Sequence, residues 1–501
     1  MSKRERISHV DTAWLRMDRP TNLMQIVGVM IFDGRLDFQR FRRTVEARLL
    51  RYERFRQCAV VEGSGAWWVD DRNFDLDAHI RHTLLPFPGG TTELQRYVAE
   101  LASTPLNPHR PLWEFQVVEM ETGDSALVAR IHHSIADGIA LIGVMLSLTD
   151  LDANAAPDAE HPPQHLHIQD DTDSPDSLGD LFWRWIYQPL SDATLSAIRL
   201  SGNLWVKYVG LMLDPNKAAE YTRIGTGIAT EVGKLAMMPN DSPTRFKGAP
   251  GVQKAVAWSE PMSLPEVKAV GKILGCSVND MLLASAAGAL RSYLAEKGDA
   301  VDDLEVRALV PVNLRRPGDE HALGNRFGLV ALELPVGIEN PLARLYETRN
   351  RMEALKGSLQ AMLTLSILGA VGMAPKFVQQ QILDLLANKA SAVMTNVPGP
   401  QKPLWFAGSR LKQQMFWVPQ SGNIGMGVSI LSYDNKVQFG LITDRGRVPD
   451  PERIVARFGA EFEKLLLLVL MEPWERLEDP AEVEAAIHAN DIGARRHPPT
   501  E

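Results

Sequence analysis

Ile131-His132-His133-Ser134-Ile135-Ala136-Asp137-Gly138 sets two adjacent histidines, an aspartate and a glycine within eight residues. The run before it, Ser125-Ala-Leu-Val-Ala-Arg-Ile131, has the apolar composition of a buried strand, and the run after it, Ile139-Ala-Leu-Ile-Gly-Val-Met-Leu-Ser-Leu148, that of an apolar helix. The histidines therefore fall at a strand-to-helix junction, where side chains project into a cleft while rigid elements hold them. Successive side chains of a strand point to opposite faces, so one histidine meets a substrate and the other does not. His133 is the expected general base and His132 its packed or hydrogen-bonded neighbour. An unperturbed imidazole titrates near ~6.5 and at neutral pH is free to accept a proton from an alcohol attacking a carbonyl. Asp137 either orients this neighbourhood through a salt bridge or caps the helix that follows, and Gly138 permits close backbone approach at the turn.

The pattern points to acyl transfer onto a hydroxyl. A metal site is the obvious competitor, but two ligands at adjacent positions rarely converge on one ion, and neither a third nearby histidine nor a cysteine cluster supports one. HHSIADG resembles the HHxxxDG signature of the CoA-dependent acyltransferase superfamily, and the chain is more closely similar to the bacterial wax ester synthase/acyl-CoA:diacylglycerol acyltransferases. Asp11-Thr-Ala-Trp14 to Met24, Pro111-Leu112-Trp113, Asn279-Asp280, Pro311-Val-Asn-Leu-Arg315, Gly324-Asn-Arg-Phe327 and Asn396-Val-Pro-Gly-Pro400 occur in that family's order. Each is weak alone; the ordered set is specific and spans nearly the whole chain.

Composition agrees with a large enzyme. With 501 residues, 45% of them hydrophobic, the chain buries substantial cores and is expected to form two subdomains. A net charge of −9 argues against a nucleic-acid partner. The two cysteines, Cys58 and Cys276, lie far apart and read as free thiols in a reducing compartment. The opening MSKRERISHVDTAW lacks the apolar core of a secretory signal, which suggests a cytoplasmic protein.

Strands are predicted near 24–33, 114–120 and 126–132, with helices near 37–52, 91–102 and 138–148, in a first half covering 1–151. A second half, 181–492, is predicted to carry strands near 252–258, 305–312, 328–336, 391–396, 425–432 and 437–442. Its helices are expected near 264–274, 278–296, 340–356, 377–388 and 451–471. Between the halves, 152–180 is rich in Asp, Pro, His and Ser and reads as an exposed linker; 493–501 reads as a disordered tail. Gly357 to Pro375 carries no charge but includes three glycines and several polar residues, so it reads as a buried or tunnel-lining helix rather than a span. Leu181 to Tyr187 and Leu204 to Leu213 mix aromatics with Arg184 and Lys207, a composition that suits a membrane interface and ordinary packing alike.

The resemblance implies an α/β fold of two mixed-sheet, chloramphenicol-acetyltransferase-like subdomains with a tunnel at their interface and His133 at its middle. It implies acyl-CoA as co-substrate, no bound cofactor, and a fatty alcohol or diacylglycerol as acceptor at the surface of the inner membrane or a lipid inclusion. His133 would take the hydroxyl proton during attack on the thioester and return it to the departing sulfur, without an acyl-enzyme. By the same resemblance Asn279 is a candidate oxyanion donor, although at a helix start it reads equally as a cap, and Asp280 is structural. Arg315 is a candidate partner of Asp137, Pro111-Leu112-Trp113 a candidate wall of the acyl channel, and Asn396 to Pro400 a loop bridging the subdomains.

Rival chemistries fit less well. His132 and Asp137 also satisfy the H-x4-D spacing of glycerol-phosphate acyltransferases, but the Glu-Gly-Thr-Arg motif of that family is missing. Gly227 to Lys234 has five residues between its glycines and a leucine after the lysine, so it is no P-loop. No Gly-x-Ser-x-Gly elbow signals a serine lipase. A lipid-binding module without catalysis would not need the base that HHSIADG supplies.

Overall fold

The computed structural model describes residues 4–62, 65–158, 238–313, 323–325, 327–355, 364 and 386–471. Strands and helices are numbered along the chain. The first sheet runs in the order β13 (Trp405–Phe406), β14 (Ser409–Trp417), β2 (Gln25–Phe32), β7 (Ser125–His132), β6 (Trp113–Glu119) and β5 (Ile80–Leu84). All eight residues of β2 and of β7 are buried. These two central strands are covered on both faces, which is why they read as continuous apolar runs rather than as an alternation. Every pairing in this sheet is antiparallel except that of β5 with β6.

The second sheet runs β11 (Phe327–Leu334), β10 (Val306–Asn313), β12 (Ala392–Pro398), β15 (Met426–Tyr433), β16 (Lys436–Asp444) and β8 (Lys254–Trp258), with β9 (Met262–Ser263) also pairing with β16. It is mixed: β12 lies parallel to both β10 and β15. Helices α5 (Leu264–Ile273), α6 (Val278–Glu296), α7 (Pro341–Leu355) and α8 (Glu452–Met471) belong to this half, and their apolar side chains form one core with its strands. Around the first sheet lie α1 (His9–Met17), α2 (Phe38–Arg48), α3 (Thr91–Ala102) and α4 (Gly138–Ser147). A small sheet of β1 (Arg4–Arg6), β4 (Gly65–Asp70) and β3 (Gln57–Glu62) completes the described strands. Among the described residues no single helix is long and apolar enough to cross a membrane; α5 and α6 pass that test as a pair but meet at 99°, and α6 is a core helix buried over most of its length.

The halves are not the consecutive blocks that the sequence suggests. β13 and β14, from the second half, complete the first sheet: β14 pairs with β2 from Leu411 opposite Phe32 to Trp417 opposite Val27. A shared core unites Val27 and Val29 of β2 with Val256 and Trp258 of β8 and Ile442 of β16. At its start, 152–158, the linker is exposed to half-buried as expected, and it is anchored: Arg40 donates to the carbonyls of Ala153 and Ala155, and Arg48 to those of Ala156 and Pro157. Helix α2 ends at Arg48, earlier than the predicted 52, and passes into short 3-10 turns. Asn396, Val397 and Pro398 are strand residues of β12, not a loop between subdomains. The aromatic segments of 181–213, Arg315, the tail and nearly all of Gly357 to Pro375 and of the helix predicted at 377–388 lie outside the described residues.

Candidate active site

A cavity of about 1110 Å³, its open mouth included, takes its walls from both sheets. Ile26 and Phe416 come from the first sheet; Val310, Phe327, Val393 and Leu431 come from the second; Leu141 and Ile142 come from α4. Against this apolar lining stand a few polar groups, chiefly His133, Asp137, Thr395, Asn396 and Ser429. A mostly apolar cleft with a few convergent polar groups is the usual form of a small-molecule site.

β7 ends at His132, and the chain turns before α4 begins at Gly138. His133 carries the β2–β7 register one pair further, donating its N–H to the Met24 carbonyl at 2.7 Å. Its ring is 4.3 Å from that of Trp14, stacked at 22°, and 5.6 Å from Phe327. Burial pushes the His133 pKa down to about 4, although the negative charge of Asp137, the residue's own carbonyl and the Asn325 amide all pull it back up. The imidazole is therefore neutral at pH 7, the form a general base needs. His132 does not line the cavity. Its Nδ1 accepts from the Ser134 N–H at 3.1 Å and lies 2.8 Å from Ser134 Oγ, and burial, reinforced by His133, lowers its pKa to about 3. Accepting at Nδ1 puts its single proton on Nε2.

Asp137 is 1% exposed and is the N-cap of α4, with Oδ1 accepting from the Ala140 N–H at 3.0 Å. Of the two anticipated roles the cap is the one seen, and the same carboxylate favours protonation of His133. Gly138 lines the cavity, but its φ is ordinary and an added Cβ would sit 3.7 Å from Val418. No conformational need for glycine is visible, so the expected backbone requirement is corrected to the absence of a side chain at the cavity wall.

Two more placements depart from expectation. Pro111, Leu112 and Trp113 do not line the cavity. Trp113 is 1% exposed, its indole N–H donates to the Phe55 carbonyl at 2.9 Å, and the Leu112 carbonyl accepts from the His132 N–H at 2.9 Å. The motif holds up the histidine strand from behind instead of walling a channel. Asn279 is buried one layer behind the cavity, where its Oδ1 accepts from Nδ2 of the lining residue Asn396. It is not the helix cap: Ser277 caps α6 in a capping box with Asp280, which gives Asp280 its structural role.

The sequence reading named no function for Asp11, Trp14 and Asn325, yet they surround His133. Asp11 is buried, and its Oδ1 accepts from both the N–H and Nδ2 of Asn325, at 3.2 and 2.7 Å. Asn325 Nδ2 also donates to the His133 carbonyl at 2.6 Å. Desolvation raises the Asp11 pKa, opposed by its bonds to Asn325 and Ser8. Position in the ordered motif set was the available signal; contact with His133 was not readable from separations of more than a hundred residues.

A neutral imidazole at the end of a buried strand, opening on an apolar cavity between two mixed α/β sheets, defines an acyltransferase of the condensation-domain fold. Solved structures share that fold: wax ester synthase/diacylglycerol acyltransferase from Marinobacter aquaeolei VT8 superposes with a TM-score of 0.64 at 20% identity, covering 92% of this chain and 99% of that one. The starter condensation domain of rhizomide synthetase matches at 0.54 and 13% identity, over 93% and 94% of the two chains. Residues 7–282 match the wax ester synthase/diacylglycerol acyltransferase catalytic domain and 323–466 the WS/DGAT C-terminal domain; the chain belongs to this family. Similar curated proteins include the probable diacylglycerol O-acyltransferase tgs2 of Mycobacterium tuberculosis, 28% identical over 82% of this chain and 86% of that protein. A putative diacylglycerol O-acyltransferase of the same organism is 29% identical over 92% and 98%.

Proposed function

We propose that the protein transfers a long-chain acyl group from acyl-CoA to the hydroxyl of a fatty alcohol, giving a wax ester, or of diacylglycerol, giving triacylglycerol. The observation that carries this reading is the position of His133, neutral and buried on the wall of a large apolar cavity. The unprotonated ring nitrogen takes the acceptor's proton as its oxygen attacks the thioester carbonyl. The tetrahedral intermediate then collapses, the carbon–sulfur bond breaks, and the imidazolium returns the proton to the CoA sulfur. Asp137 supports that transient charge, because its carboxylate favours the protonated ring. The apolar walls supply positioning for two greasy chains, which turns a bimolecular encounter into a local one. No metal or cofactor enters this scheme.

Both acceptors are lipids concentrated at surfaces, which supports a peripheral place at a membrane or lipid inclusion. Acceptor choice rests on the cavity's fit to one chain or to a branched glyceride. An assay that offers acyl-CoA with hexadecanol and with diacylglycerol in parallel tests the reading. Wild type should acylate at least one of them, and folded His133→Ala should lose roughly 10²-fold or more in turnover, as expected when a general base is removed. Full turnover in that variant, or transfer to neither acceptor, would refute the proposal.

A further inference from the structure

The second sheet's side of the cavity alternates as a pleated strand requires. Ser429 and Leu431 of β15 face the cavity, as do Val393 and Thr395 of β12, while Val428 and Ile430 turn into the core of the second half. Thr395 and Ser429 stand side by side, since β12 and β15 run parallel and pair at these two positions. On the other side of Ser429 the paired residue of β16 is Gly440, which brings no side chain. The ring of Trp417 lies over that glycine, 2.8 Å from where a Cβ would stand, and an indole N–H donates but cannot accept.

Most polar groups on the cavity wall are committed to the protein. Asp137 caps α4, Asn396 donates to Asn279, and Thr395 Oγ1 turns back to donate to the Val428 carbonyl at 3.2 Å. Ser421 is half-buried and open to water. Ser429 differs from all of these: it lines the cavity at 2% exposure, and among the described residues its hydroxyl has no hydrogen-bond partner. Its proton is left for whatever fills the cavity. The proposed reaction brings carbonyls to this place, one in the thioester of acyl-CoA and two in the esters of diacylglycerol. A carbonyl taken from water into an apolar cavity loses its hydrogen bonds unless the wall supplies a donor.

We propose that Ser429 is a substrate-binding residue whose hydroxyl donates to an ester or thioester carbonyl held in the cavity. The proposal deepens the reading of the protein as an acyl-CoA-dependent O-acyltransferase of lipids and rests on it for the identity of the carbonyl. Two sources share that chemistry. With the thioester as partner, Ser429 serves every acceptor alike; with the glyceride ester as partner, it serves diacylglycerol alone, because hexadecanol has no carbonyl to offer.

Hydrogen bonding lowers the stretching frequency of a carbonyl, so infrared spectra of substrates carrying ¹³C at that carbon read the contact without turnover. Palmitoyl-CoA and diacylglycerol, labelled in this way, are each bound alone to wild type, Ser429→Ala and Ser429→Thr. One of the two carbonyl bands should lie low on wild type, move up in Ser429→Ala and return in Ser429→Thr, which keeps the hydroxyl. With the urea midpoint unchanged, kcat/KM of Ser429→Ala should fall about fivefold or more, as for a lost hydrogen bond to a buried group. The fall should be equal for hexadecanol and diacylglycerol where the thioester band moves, and confined to diacylglycerol where the ester band moves. Bands that ignore Ser429→Ala would overturn the proposal, and so would a loss that Ser429→Thr does not recover. Neither result touches the acyl-transfer reading, which falls instead when wild type acylates neither acceptor; the infrared bands decide the role of Ser429 in that case as well.

Discussion

At the scale of the residue, the properties of His133 follow from what surrounds it. A solvated imidazole would be half protonated near ~6.5, whereas burial holds His133 down at about 4 against the pull of Asp137. As the proposed base, His133 should accordingly remain unprotonated well below neutrality. We expect kcat/KM to stay flat from pH 7.5 to about 5.5, where an exposed histidine would already have lost most of its free base; a rate profile over this range, with acyl-CoA integrity checked at each pH, measures it, and an acid limb centred near 6.5 would contradict the buried environment. Much of this site was legible in the sequence. Opposite facing of adjacent strand residues separates His133, on the cavity wall, from His132, bonded to Ser134 behind it. Asp137 as a cap followed from its place before an apolar helix. What was not legible was the ring of support from Asp11, Trp14 and Asn325, because hydrogen bonds spanning 314 and 192 residues leave no local periodicity to read. Pro111-Leu112-Trp113 failed for a related reason: an apolar motif reads the same whether it lines a channel or packs behind one.

Among the elements, β14 has the largest consequence for the site. It enters the first sheet from the second half and sets Phe416 on the cavity wall directly opposite Gly28 of β2. A Cβ at Gly28 would lie 2.5 Å from two carbons of the Phe416 ring, so only glycine lets the ring rest there. Gly28→Ala should drive Phe416 into the cavity or strain the β2–β14 pair, at a cost of about 1–3 kcal/mol, the range for overpacking. Loss should fall more heavily on the bulkier acceptor, and Gly28→Ala combined with Phe416→Leu should recover part of it. Urea unfolding together with the parallel acceptor assay decides the matter, and a Gly28→Ala protein of unchanged stability and acceptor preference would remove the ring contact from the argument. Elements with strong periodicity were readable: α3 and α6 match their predicted ranges residue for residue. β14 was not, because its burial changes along the strand and its partner lies almost four hundred residues earlier. Sequence patterns report faces, and pairing over such a distance is decided by the assembled sheet. The hairpin β3–β4 and the edge strand β5 were missed as well, being short and only partly buried.

For the whole molecule, the exchanged strand and the core shared by β2, β8 and β16 couple the two halves, so a local titration should register in global stability. His132 and His133 have folded-state pKa values of about 3 and about 4, below that of an unfolded histidine. Their contribution is fully present above the unfolded value of ~6.5 and is lost as pH falls from there toward the folded values, because the unfolded chain then binds protons that the native state refuses. Asp11, Asp18 and Asp241 act with the opposite sign: burial raises their pKa, so the native state takes up protons first as pH falls, and their contribution is lost as pH rises through the raised values. Histidines titrate at the higher pH in the unfolded chain, so the first change on acidifying from neutrality should be a fall in stability. Urea midpoints between pH 7.5 and 5 should decline within a single transition reported alike by tryptophan fluorescence and circular dichroism. His132→Gln, which cannot titrate, should reduce the slope near pH 5 by up to about 1.4 kcal/mol per pH unit, the limit for one proton, while lowering stability at pH 7.5 through the altered contact with Ser134. A slope unchanged by that substitution would mean that His132 is not held neutral by the fold, and two separated transitions would mean that β14 does not bind the halves into one cooperative unit.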